Sequence, residues 1–191
     1  MTVETIWGGE SVPWVPVPLV WTDPTGQDLL NFAADAAHSP ASRKPDGFKL
    51  GRYVSRFPGY LAAFEGRELS SLFLWLGELC EPPVFLTLAV YDAVGSAEET
   101  LPLLGHVDDP GLGVEVTPAP HPHLGEGARY VRRVKVRKGL FGSSEQVEVR
   151  WVWRTRGAKD HLLTLERRDQ AELDRILPDV EALIATARLS G

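Results

Sequence analysis

Apolar positions in this chain fall into short runs whose spacing alternates between a period of two and a period near 3.6, with Gly, Pro and Ser between them. The opening stretch WGGESVPWVPVPLVW sets β-branched residues between prolines, which removes backbone donors. That confines it to an edge strand or an extended arm, with Trp7, Trp14 and Trp21 as anchors. Asp23-Pro24 then reads as a helix start, and Leu29, Phe32, Ala33, Ala36 and Ala37 recur three and four apart, predicting a helix over about 24–38. In RYVSRFPGYLAAFEGREL the Pro58-Gly59 pair divides two apolar runs, and the expectation is strand, turn, strand. LSSLFLWLGE and PVFLTLAVYD are rich in branched and aromatic residues and predict central strands of an antiparallel sheet, joined through Cys80-Glu81-Pro82-Pro83.

Ser96 and Glu99 form the Ser-x-x-Glu pattern that satisfies free backbone donors reciprocally, so a short helix is expected over 97–104. GVEVTP predicts a brief strand. ARYVRRVKVRKGLFGSSEQVEVRWVWRT has two alternating runs around a Gly/Ser turn, the pattern of a long β-hairpin. On its second arm Val147, Val149, Trp151 and Trp153 share one face, and Glu148, Arg150 and Arg154 the other. On the first arm Arg132-Arg133 breaks the alternation, predicting a bulge or register change. HLLTLER predicts one more strand. Asp169 with Glu172 then marks the start of a terminal helix whose stripe runs through Leu173, Ile176, Leu177, Val180, Leu183, Ile184 and Ala187, with a kink or restart expected at Pro178.

Composition makes this an ordinary globular chain: 191 residues with 43% hydrophobic content form one domain, 1–191, with 1–21 as a Pro-rich extended segment. Cys80 is the single cysteine, so no intramolecular disulfide forms, and it reads as a buried structural thiol. The first twenty residues lack the apolar core of a secretory signal, and no 18-residue apolar run could span a bilayer, so the expectation is a cytoplasmic protein. Charge changes the picture more. From Arg129 to Lys159 there are ten Lys or Arg against Glu145 and Glu148, a segment of +8, leaving −14 for the rest of a chain whose formal total is −6.

His121-Pro122-His123 is the candidate metal motif, since alternation would set both imidazoles on one side of an extended chain. Nothing spaced like a third or fourth ligand accompanies it, so the reading is an exposed turn, with no metal and no cofactor. There is no Gly-x-Ser-x-Gly, and Gly142-Ser143-Ser144 is more simply a hairpin turn. The basic hairpin is the strongest pointer to function. Arg129, Arg132, Arg133, Lys135, Arg150 and Arg154 could present a surface to an acidic protein partner, whereas a pI near 5.4 and the lack of a nucleic-acid motif weigh against nucleic acid. The competing reading is that these arginines pair with acids of the terminal helix or neighbouring loops.

PWVPVPLVW, GEGARYVRR, the tryptophan-rich strand and HLLTLERRDQAELDRILPDVEALIATARL, in which a strand leads to a helix with an aspartate near its middle, together resemble the Mog/PsbP-like superfamily, in particular its small LpqN-related bacterial proteins. The match is best in the C-terminal third. The resemblance implies an α/β/α sandwich, a mainly antiparallel sheet with helices on both faces, and it implies no reaction. The lipoprotein export signal of the LpqN-type members is not found in this sequence. The expectation is therefore an α+β binding or accessory protein, non-enzymatic, meeting its partner through the basic hairpin. The alternative is a small-molecule binding protein or enzyme with a pocket between curved sheet and terminal helix, lined by Trp75, Tyr91, Trp151 and Trp153.

Overall fold

The apolar runs assemble into one antiparallel sheet in the computed structural model, which describes residues 4–7, 12–21, 23, 25–105, 113–138, 142–155, 158–167 and 170–190, with backbone alone at 4–6, 134–138, 142–145, 167 and 190. The strands are β1 Glu4–Ile6, β2 Trp14–Val17, β3 Ser71–Trp75, β4 Phe85–Asp92, β5 Val114–Pro118, β6 Glu126–Lys138, β7 Gly142–Arg154, β8 Lys159–Arg167 and β9 Arg188–Ser190. The helices are α1 Gln27–His38, α2 Leu50–Leu61, α3 Ala97–Leu104 and α4 Gln170–Ala185. Seven strands pair in the order β2-β3-β4-β8-β7-β6-β5, every neighbour antiparallel, while β1 and β9 form a separate two-stranded pair. After β4 the chain leaves through α3 to the far edge, then returns strand by strand to place β8 beside β4. HLLTLER therefore lies at the centre of the sheet.

Because side chains alternate along a strand, each strand feeds two cores. Phe73, Trp75, Leu86, Leu88, Val149, Trp151, Trp153 and Leu163 turn toward α4, whose Leu173, Ile176, Val180 and Leu183 meet them at spacings of three and four. On the other face Leu72 and Leu74 pack under α1 and α2, and Tyr130 and Val152 pack under Leu101 of α3. This is an α+β fold with helices on both faces of the sheet. Two indoles fasten α4 to it at Asp179: the Trp14 Nε1–H donates to the Asp179 carbonyl at 2.9 Å and the Trp75 Nε1–H to its carboxylate at 2.8 Å.

β2 is an edge strand as its prolines require, with Pro16 opposite Phe73. All three expected anchors are used: Trp14 is buried, Trp7 lies 6.3 Å from Trp153 between ring centroids, and Trp21 meets Phe32 edge to face. The Asp23 carboxylate accepts the backbone N–H groups of Thr25, Gln27 and Asp28, and these hydrogen bonds, with that of the Thr25 hydroxyl, hold it below the usual carboxylate range. The capping box of α3 forms with both of its bonds.

Five expectations about local structure are corrected. The stretch around Pro58-Gly59 is helical, not strand, turn, strand: Leu50, Tyr53, Val54, Phe57 and Leu61 make one apolar stripe, and Tyr53 and Phe57 are fully buried against the alanines of α1. Pro58 sits on the exposed side of that helix, so one missing backbone bond is outweighed by two aromatic side chains leaving water. No bulge occurs at Arg132-Arg133, since the β6–β7 register runs unbroken from Glu126↔Arg154 to Lys138↔Gly142. Gly142, Ser143 and Ser144 accordingly belong to β7, and the turn itself, like Asp169 before α4, lies outside the described residues. Of the kink or restart expected at Pro178 the restart does not occur, since α4 continues from Gln170 to Ala185. Cys80 is only partly buried, and its thiol donates to the Pro82 carbonyl at 3.2 Å. Among the described residues no helix is long and apolar enough to cross a membrane.

Candidate functional site

Register decides what the basic hairpin can offer. Arg132 stands directly opposite Glu148, so both point to the α3 side of the sheet with Tyr130, Arg150 and Arg154. The Arg132 Nε–H and Nη2–H donate to Glu148 Oε2 at 2.9 and 2.7 Å, and the Arg150 Nε–H donates to Oε1 of the same carboxylate. Arg150 also donates from Nη1 to the Leu104 carbonyl at the end of α3, 2.9 Å away. Burial pulls the Arg150 pKa down and Glu148 pulls it back up. Arg154 grips both oxygens of Asp160 at 2.7 Å and the Gly95 carbonyl at 2.7 Å, and its hydrogen bonds to Asp160 raise its pKa.

On the opposite face Arg129 reaches Glu181 of α4 at 3.7 Å. Arg132, Arg150 and Arg154 are thus partly buried and bonded to acids of the same sheet, while Arg129 makes only the longer approach to the exposed Glu181. Arg133 is exposed, and Lys135 is described by its backbone alone.

That backbone matters, because β6 and β7 outrun their neighbours. β5 pairs with β6 only as far as Arg132, and β8 pairs with β7 only from Val147. From Val134↔Gln146 to Lys138↔Gly142 the two strands pair with each other alone among the described residues, as a two-stranded ribbon. It carries Lys135, Arg137 and Lys138 against the single acid Glu145.

The His121-Pro122-His123 motif is a turn, yet a buried one. His121 is 9% exposed and closes a β-bridge with Gly125, while Nδ1 of its ring accepts the backbone N–H groups of His123 at 3.2 Å and Leu124 at 3.1 Å. Its other ring nitrogen serves the Ile184 carbonyl of α4, and burial, reinforced by His123, lowers its pKa. Nδ1 is thus taken up by the backbone of its own turn, and its lone pair is not free for a metal. Among the described residues no group of three or more His, Cys, Asp or Glu could hold a metal ion.

No family model matches the chain, and no curated protein matches it either. The site has to be read from its own geometry.

The four aromatic residues expected to line one pocket divide between faces. Trp75, Trp151 and Trp153 lie buried under α4, whereas Tyr91, by its register with Asp160, belongs to the other face. Two clefts border the sheet–α4 interface among the described residues. One of about 600 Å³ borders Trp75 and Asp179, and one of about 310 Å³ borders Trp151, Trp153 and Arg129.

A further groove of about 310 Å³ lies on the opposite face, lined by Tyr60, Phe64, Arg67, Phe85, Thr87 and Glu166, among others. Sequence reasoning missed it because α2 was expected to be two strands. The signal was present in the spacing of Tyr53, Phe57, Tyr60 and Phe64, which places aromatic groups along one side of a helix and its continuation.

Proposed function

We propose that the protein is a non-enzymatic binding or accessory protein that engages an acidic protein partner through the end of the β6–β7 ribbon. The observation that carries this reading is the stretch from Val134↔Gln146 to Lys138↔Gly142, where β6 and β7 pair only with each other among the described residues, with three cations in sequence against one acid. Three cations close together in sequence along a two-stranded ribbon would offer an acidic surface both attraction and faster encounter. The contact surface is thereby moved along the strands from Arg132, Arg150 and Arg154, whose guanidiniums are already bonded to Glu148 and Asp160. An antiparallel sheet with helices on both faces supports keeping the Mog/PsbP-like resemblance as the parentage of this reading.

The test compares wild type with K135E/R137E/K138E in recovery of a nuclease-resistant protein partner from native extract at low and high salt. Salt-sensitive recovery lost in the triple variant, with an unchanged thermal midpoint, supports the proposal. Recovery that survives charge reversal, or that disappears on nuclease treatment, overturns it.

A further inference from the structure

Between the α1–α2 pair and α3 the helical layer covers the centre of the sheet incompletely, and the groove of about 310 Å³ opens there. Its walls are aromatic. Tyr60 and Phe64 come from α2 and the 3-10 turn that extends it, Phe85 comes from β4, and the Phe64 and Phe85 rings meet at 5.1 Å edge to face. Thr87 and Thr164, paired across β4 and β8, supply hydroxyls beside them.

Two charges of opposite sign line the same space. The Arg67 guanidinium sits 5.3 Å from the Phe64 ring centroid, and Glu166 is exposed toward the end of β8. Among the described residues neither comes within ion-pair distance of a partner, although Arg150 of the neighbouring β7 attracts Glu166 from further off. A guanidinium held over a ring by cation–π attraction can still offer its N–H donors to a carboxylate.

We propose that this groove binds a small zwitterionic aromatic molecule, of the class of an aromatic α-amino acid. The ring lies among Tyr60, Phe64 and Phe85, the carboxylate on Arg67 and the ammonium on Glu166. A ligand with one charge leaves the other groove charge unmatched or repelled, whereas a zwitterion answers both. The volume is at the lower end of ligand pockets, about 300–1,000 Å³, which favours a single ring system over a nucleotide or a lipid. This site is independent of the ribbon, so failure of either proposal leaves the other standing.

Calorimetric titration of the full chain with L-tryptophan, indole-3-acetate and tryptamine separates the possibilities. L-tryptophan is expected to bind with a Kd on the order of 0.1–1 mM, as suits a ligand of its size, and both singly charged analogues at least about tenfold more weakly. Arg67→Gln should bring L-tryptophan down to the level of tryptamine, and Glu166→Gln to the level of indole-3-acetate. Both positions are exposed, so thermal midpoints should hold. Equal binding of the three compounds, no heat at millimolar L-tryptophan, or indifference to both variants overturns the proposal.

Discussion

Between Arg132 and Arg150, the Glu148 carboxylate receives three guanidinium N–H groups while its side chain is only 6% exposed. Two cations brought this close in a half-buried site repel each other unless the anion lies between them. Glu148→Gln keeps the shape and removes the charge, leaving both guanidiniums desolvated and unmatched. A loss of about 3 kcal/mol is expected, read as a lower urea midpoint at unchanged slope. A loss under about 0.5 kcal/mol would show that the arginines reach water when released. The same residue shows how the pairing of strands reduces the hairpin's excess of positive charge, since one carboxylate engages two of its arginines. His121 makes a parallel case, since its ring is consumed by the backbone of its own turn and by α4.

Along the elements, close approach matters as much as periodicity. Gly127 of β6 lies opposite Trp153, and a Cβ there would run into the indole Cδ1 and the Val152 carbonyl oxygen. The obstructing atoms belong to a fully buried ring and to the sheet backbone, so neither can yield cheaply. Gly127→Ala should therefore cost about 2 kcal/mol, seen as a drop in thermal midpoint. Gly113→Ala, where a Cβ meets nothing within 4 Å, should stay within about 0.5 kcal/mol of wild type. If both variants behave alike, the indole is not held as described. In α2 the competing signals were also local: Pro58-Gly59 argued for a turn, and the aromatic stripe argued for a helix. The stripe won because α1 presents Ala33, Ala36 and Ala37 to it, small residues that let Tyr53 and Phe57 approach. A sequence window cannot contain that fact.

For the molecule as a whole, stability is coupled to pH through His161. It is 2% exposed, its Nδ1 has no hydrogen-bond partner, and burial pushes its pKa from 6.5 down to about 4, with Asp160 opposing and Lys159 assisting. The unfolded chain takes up this proton near pH 6.5, while the folded one resists it until about pH 4. The stabilising contribution is thus complete above pH 6.5 and disappears as pH falls to about 4, by about 3 kcal/mol in all. Denaturation midpoints measured across that range should fall in wild type and flatten in His161→Leu; parallel curves would remove His161 from the account.

The amino-acid sequence by itself determined what depends on near neighbours: the capping box of α3, the proline-marked edge strand, the alternation of the long hairpin and the stripe of α4. Strand order was decided only in three dimensions, because β8 meets β4 across some seventy residues of intervening chain, and no local period encodes that pairing. So were the pairing of the basic strand, the burial of His121 and the separation of Tyr91 from the three tryptophans. Each depends on which side of a sheet faces which helix, a relation between distant segments that hydrophobic packing settles when the sheet closes on its layers.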